Sequence, residues 1–329
     1  MVYRVQRLFG WLAASALVAV ALVPMPALAA PATWSVKVGA QTPDKGVQAN
    51  GFFNNNITVD VGDRVAWSWA ADEVHTVTFL SGAPEPPLFA VIGGQLVPNF
   101  PFLGPSGGPD YNGTGIANSG VFGFPGVPTT FSLTFTTPGT YRYLCLVHEG
   151  MDGTVTVNQA GTAYPATQAD YDRASQAQEA QLLGKGLSLF GQGQAAAAPT
   201  AVTAGNGQVV SGVGSTLAVL RFVPDKRVVH VGDTVTWRNL DPETPHTVTF
   251  GTEPPGGPFG AYAPSSNVSG AHATISSPND SVNSGFIAND PLFQVKNTFS
   301  ATFTAPGTYP YICALHDEQG MKGSIVVLP

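Results

Sequence analysis

The sequence predicts an all-β chain built as two tandem sandwiches, and three observations carry that prediction. Short runs such as "RVAWSW", "HTVTFL", "SLTFTT" and "GTVTV" alternate with period two and are rich in Val, Thr, Phe and Tyr, as half-buried strands are. Gly and Pro supply 66 of the 329 residues and fall between these runs as turn signals. At about 20% they stay below the roughly 25–30% that marks disorder. The third observation is an internal repeat. "ITVDVGDRVAW" (57–67) matches "RVVHVGDTVTW" (227–237), and "VHTVTF" (74–79) matches "PHTVTF" (245–250). "NSGVF" (118–122) matches "NSGFI" (283–287), and "LTFTTPGTYRYLC" (133–145) matches "ATFTAPGTYPYIC" (301–313). A repeat of about 170 residues is too long for a solenoid, so each copy is expected to hold its own core.

Residues 1–29 stand outside this pattern. Arg4 and Arg7 precede an apolar run from Leu8 to Val23, then Pro24 and Pro26, and Ala27 and Ala29 form an A-x-A cleavage pattern. The run is shorter than the ~20 residues that span a bilayer. It reads as a secretory signal peptide, which makes the protein exported: periplasmic, cell-surface or extracellular. Membrane attachment is expected only if this segment stays uncleaved. Loss of Arg4 and Arg7 leaves 12 basic against 21 acidic residues, a net charge of about −9 with no basic stripe. That excludes nucleic acid and anionic lipid as partners and leaves room for a basic protein.

The copies are expected at 33–158 and 205–329, with 159–204 between them as a helical and flexible linker. Thr167 with Asp170 three residues on resembles a capping box, and Ala, Gln and Leu follow as far as Gly184 and Gly186, so a short helix is predicted over 167–183. "GQGQAAAAPTAVTAGNG" after it has the composition of a tether. Each copy also carries a long Gly/Pro-rich segment, 81–128 and 251–297. Phe89, Ile92, Phe100, Phe102 and Leu103 make the first too apolar for a solvated loop, so it is expected to fold back on its sandwich.

The chemistry is concentrated in two stretches, "TYRYLCLVHEGM" and "TYPYICALHDEQGM". Both cysteines of the chain and both methionines beyond the signal segment lie there: Cys145, Met151, Cys313 and Met321. His148 and His316 share the stretches, and His75 and His246 occupy matching "HTVTF" positions. Strand alternation points Tyr141, Tyr143 and Cys145 to one face, and likewise Tyr309, Tyr311 and Cys313. The loop that follows can return His148 and Met151, or His316 and Met321, to the sulfur, and a distant strand adds His75 or His246. Two imidazoles, a thiolate and a thioether are the ligand set of a trigonal copper site with a weak axial methionine. Two copper ions are therefore expected, one per copy.

With these residues in place, both copies resemble cupredoxins of the plastocyanin kind, on "VGDRVAW"/"VGDTVTW", "HTVTF", "PGTYRYLC"/"PGTYPYIC" and the two ligand loops. C-x₂-H-x₄-M in the second copy has plastocyanin spacing, and C-x₂-H-x₂-M in the first is similar to amicyanin. The resemblance implies two tandem cupredoxin Greek-key β-sandwiches and one-electron shuttling between redox protein partners. It also implies a loop histidine, His148 or His316, that faces solvent as the electron route. The chain departs from the family at Thr76 and Thr247, where Asn is common; a hydroxyl there could take over part of the loop anchoring.

The remaining residues argue against other readings. A Cys145–Cys313 disulfide would require two buried strand ends to meet. His230 and His272 are read as surface or structural residues. Oxidase or nitrite-reductase chemistry needs further histidine-rich copper sites, and no two histidines lie within two residues of each other. Four protein ligands close each site to substrate, so the chain is not expected to be an enzyme or to take a small-molecule substrate. The alternative that the ligands leave open is copper storage or delivery, or a structural module, without electron shuttling.

Overall fold

A computed structural model describes Met1, residues 30–195 and residues 198–329; apart from Met1, the segment 1–29 that is expected to be a signal peptide lies outside the described residues. Alternating apolar residues form two-layer sandwiches in both copies. In the first, Thr33–Gln41 lies parallel to Arg64–Trp69, which pairs with Thr130–Phe135, and that strand carries Asp110–Tyr111. The facing sheet runs in the order Asn56–Asp60, Asp152–Asn158, Gly139–Leu144, Thr78–Phe79, Ala117–Asn118. The second copy repeats both layers. Ala201–Val210, Thr234–Leu240, Thr298–Phe303 and His272–Ile275 form one. Lys226–His230, Lys322–Leu328, Gly307–Ile312, Thr249–Phe250 and Val282–Asn283 form the other.

The two cores are built alike. Trp67 and Trp237 are fully buried, and each meets the inward tyrosine of the cysteine strand edge-on, Tyr143 or Tyr311, at 5.3 Å between ring centroids. Phe52 and Phe222 approach the same tyrosines at 4.7 Å. The row Tyr141, Tyr143, Cys145 faces inward as the alternation requires, while Thr140 and Arg142 are exposed.

The copies are not tethered beads. Val47–Phe53 pairs antiparallel with Ser215–Val223, in register from Gly51↔Ser215 to Val47↔Val219. This joins one layer of each sandwich into a single ten-stranded sheet. Every residue of Val47–Phe53 is buried, because the strand has a neighbour on both edges and packing on both faces.

The linker differs from expectation in the same sense. Its helix runs Gln168–Ala195 rather than 167–183, and the first strand of the second half begins at Ala201, inside the stretch expected to be a tether. Its start is as read: Asp170 accepts from the Thr167 hydroxyl at 2.7 Å and from the Thr167 N–H at 3.0 Å, and Asp170 N–H returns a bond to Thr167 Oγ1. The helix continues through its glycines because it lies across the seam, over Val47–Phe53 and Ser215–Val223. Leu182 is buried with Ala40, Ala49 and Phe53. A Cβ at Gly186 would collide with Val47, so that glycine sets the close approach of helix to sheet, whereas nothing surrounds Gly184 within 4 Å.

The long segments only partly fold back on their own sandwiches. Ile92 and Phe100 are exposed, while Phe89 meets Phe259 of the other half at 5.6 Å. Val91 and Leu96, on the hairpin Phe89–Ile92/Gln95–Pro98, pack against a cluster containing Tyr262, Phe286 and Phe293. The loops thus cross the seam at the ligand end of both sandwiches.

Two glycine variants separate propensity from packing on the helix. Gly184→Ala is expected to stabilise the chain by about 1 kcal/mol through helix propensity alone. Gly186→Ala is expected to destabilise it by about 1–3 kcal/mol by overpacking against Val47. Denaturant midpoints at constant slope check both.

Candidate metal centres

Each centre forms where the inward row of the cysteine strand ends. Cys145 follows Gly139–Leu144, and the loop closes by Cys145 N–H donating to Met151 O (2.9 Å) and Met151 N–H to His148 O (3.2 Å). The second loop closes through the same pair of bonds, Cys313 N–H to Met321 O and Met321 N–H to His316 O, both 3.0 Å. Its two extra residues are taken up in a turn in which Gly320 N–H donates to Asp317 O. Unequal spacing therefore yields equivalent closures.

The ligand atoms converge. His75 Nδ1 and His148 Nδ1 lie 3.1 Å apart, and Cys145 Sγ is 3.7 Å from His148 Nδ1. In the second half the imidazole nitrogens are again 3.1 Å apart, with Cys313 Sγ at 3.4 Å from His316 Nδ1 and 3.8 Å from His246 Nδ1. All six residues are buried. Met151 and Met321 are buried beside them, at 1% and 0% exposure. Both cysteines are free thiols, each inside its own half, so the disulfide reading fails.

The electrostatics suit a cation. Burial alone would raise the Cys145 thiol, but His148 and His75 outweigh it and hold the thiol well below its ordinary range. Burial opposes His316 and His246 at Cys313 in the same way, with the same outcome. Backbone N–H groups of Thr76 and Val147 point at Cys145 Sγ from 3.4 Å, and Thr247 N–H points at Cys313 Sγ from 3.3 Å. Two buried imidazole nitrogens aimed at one another beside a thiolate need a shared cation or proton between them. A copper ion fits that donor set.

The threonines that depart from the family pattern anchor the loops. Thr76 Oγ1 accepts from Leu146 N–H, and Thr247 Oγ1 accepts from Ala314 N–H, each at 2.8 Å. Thr78 and Thr249 extend these contacts to Asn118 and Asn283.

Three functional positions were not singled out from the sequence. Gly39, at φ +76°, lies where the first strand shifts register, and a Cβ there would come within 2.8 Å of His75 Nε2; Gly205 cradles the His246 ring in the same way. Glu73 is the third. It is 5% exposed, with Oε1 at 3.3 Å from His316 Nε2 and Oε2 at 3.8 Å from His148 Nε2. An acidic residue two positions before His75 was its only trace in the sequence. The loop histidines are correspondingly not solvent-facing. His148 is 2% and His316 6% exposed, because each is covered by the opposite half, and the route implied by the resemblance is corrected. His230 lies exposed on a strand and His272 bonds Ser300 at 2.9 Å, both away from the centres.

The family model of copper-binding proteins of the plastocyanin/azurin family matches residues 43–158 and 208–328. The chain belongs to this family. Among its cupredoxin relatives, plastocyanin of Scenedesmus fuscus is 31% identical over 115 residues, 35% of this chain and 94% of the relative. Amicyanin-alpha of Methylorubrum extorquens is 30% identical over 111 residues, 34% of this chain and 67% of the relative. Among solved structures, oxidised plastocyanin from Dryopteris crassirhizoma is 23% identical, covers 39% of this chain and 99% of its own, and has a TM-score of 0.23. The family model matches once in each half, so this cupredoxin carries the module twice, with two candidate copper sites.

Two substitutions probe the surroundings of the centres. Thr76→Val leaves the Leu146 N–H without its acceptor and is expected to lower copper affinity at the first site about 10–100-fold, leaving the second unchanged; competition titration checks it. Burial raises Glu243 to about 7. Between its ordinary value of 4.5 and that value the folded state holds a proton that the unfolded state has lost, so stability falls as pH rises. Glu243→Gln is expected to stabilise the copper-free chain at pH 8 and to change little at pH 5, read from denaturant midpoints.

Proposed function

We propose that the mature chain is an exported one-electron carrier with two mononuclear type 1 copper sites. His75, Cys145, His148 and Met151 hold one ion, and His246, Cys313, His316 and Met321 hold the other. The observation that carries this reading is the same convergence of Nδ1, Nδ1 and Sγ in both halves, each under a loop closed on a methionine. Copper bound there would supply a one-electron couple.

The chain's own residues do the rest. Cys145 and Cys313 present their sulfurs as thiolates, and the Thr76 and Thr247 N–H groups hold those sulfurs in place. Gly39 and Gly205 allow the first imidazole of each site to approach the strand closely. The buried aromatic core behind each cysteine excludes water and fixes the ligand geometry, which keeps reorganisation small when an electron arrives. Four side-chain ligands leave no place for a substrate, so the role is transfer rather than catalysis.

Burial of the histidine and cysteine ligands at 6% exposure or less favours retention of copper over delivery. The partners are redox proteins that give and take one electron. Export rests on the segment 1–29, and no helix among the described residues is long and apolar enough to cross a membrane.

The test is copper(II) titration of the mature protein, following the visible spectrum and bound metal. An intense thiolate-to-copper band is expected to saturate at two ions per chain, and at one in Cys145→Ala or Cys313→Ala. A folded chain with no such band refutes the reading. Rapid loss of copper to a modest chelator would assign delivery instead.

A further inference from the structure

The two centres are turned towards each other. His148 and His316 use Nδ1 for their own sites, which leaves Nε2 of each ring pointing away from the thiolates. Both outward nitrogens meet one side chain. Glu73 places Oε2 near His148 Nε2 and Oε1 near His316 Nε2, so each carboxylate oxygen serves one half of the molecule. Glu73 belongs to the first half, yet its contact with the second-half ring is the shorter, 3.3 Å against 3.8 Å.

Glu73, His148 and His316 are all buried, and contacts across the seam anchor their surroundings. The Trp69 indole N–H donates to Glu73 O at 2.8 Å. Arg221 of the second half donates to Asp44 O at 2.7 Å and, within its own half, to Gln319 O of the ligand loop. Gly150 of the first ligand loop packs against Val209 and Thr216 of the second half. The first ligand loop thus rests on the first hairpin of the second half, and Arg221 ties the second loop to the turn of the first half's first hairpin.

We infer that Glu73 is an internal bridge, through which an electron passes between the two copper sites along His148, Glu73 and His316. The inference rests on the copper reading above and adds a direction to it: the two sites serve one another, and only outside partners load and unload the pair. With copper in both sites, the electron lost by one half would be the electron gained by the other. Both imidazoles keep their Nε2 protons and Glu73 stays a carboxylate, so no bond changes and no co-reactant is needed. A buried carboxylate with an imidazole nitrogen within 4 Å of each of its oxygens gives a continuous polar path from one half to the other. Such groups next to metal ligands are the ones whose loss costs about 10–100-fold in function.

Glu73→Gln and Glu73→Leu in the full mature chain test the bridge with two readouts. In the copper-free protein, long-range proton–nitrogen spectra report the ring nitrogens. The Nε2 resonances of both His148 and His316 are expected to move in Glu73→Gln while those of His230 and His272 stay. Movement of one ring only, or of neither, overturns the bridge whether or not copper binds. In the copper-loaded, half-reduced protein, exchange between the two one-electron isomers averages resonances of the two halves at a rate independent of protein concentration. That rate is expected to fall at least about tenfold in Glu73→Leu, with both visible bands retained. An unchanged rate with both bands intact overturns the route. A wild-type chain that shows no band overturns the copper reading and the route with it, and the missing band distinguishes that failure from a failure of the bridge.

Discussion

The arrangement of this molecule depends on one backbone interaction, the antiparallel pairing of Val47–Phe53 with Ser215–Val223. Two sandwiches that each left such a strand at an edge would expose a row of unpaired N–H and C=O groups. Joining the edges satisfies those groups and turns two small sheets into one of ten strands. The pairing is antiparallel between equivalent strands, so it relates the halves by an approximate two-fold, and that symmetry brings the ligand loops of both halves to the same end of the seam. The helix Gln168–Ala195 and the crossing long loops then cover the junction from outside.

Burial at the junction explains the chemistry found there. A single cupredoxin domain can leave a loop histidine open to solvent, whereas here the second half takes the place of solvent for the first, and the reverse. Water removed from His148 and His316 has to be replaced by a protein acceptor, because an imidazole N–H buried without one is costly. Glu73 is the carboxylate that faces both rings, 3.3 Å from His316 Nε2 and 3.8 Å from His148 Nε2. The same burial would make an isolated carboxylate untenable, yet Glu73 is held well below its ordinary range: burial would raise it, and the attraction of His316 and His148 wins. Carboxylate and imidazoles are each acceptable in the interior only because the others are present.

The two ligand loops show how differently spaced sequences reach one geometry. What the fold constrains is the pair of backbone bonds from cysteine to methionine and from methionine to histidine, which both loops make. The residues between histidine and methionine only have to return the chain, so a turn absorbs the longer spacing. Thr76 and Thr247 follow the same logic: in both halves a hydroxyl of the right reach satisfies the N–H of the residue after the cysteine.

The sequence by itself determined the modules and their chemistry. Period-two alternation, turn residues and a repeat of about 170 residues specify two sandwiches. Sulfur and imidazole gathered at matching positions specify the metal, because ligand type and spacing are local properties that strand geometry converts directly into direction. Only the tertiary structure decided how the halves meet. Edge pairing between Val47–Phe53 and Ser215–Val223 is made by backbone atoms, which carry no residue signature, so nothing in either strand announces its partner. For the same reason the linker glycines read as helix stops; the surface of Val47 against which Gly186 packs is far away in sequence. Glu73 looks like any surface acid until the second half closes over it. Its role comes from a contact 243 residues away in the chain, with His316, and a relation of that length is set by the fold as a whole.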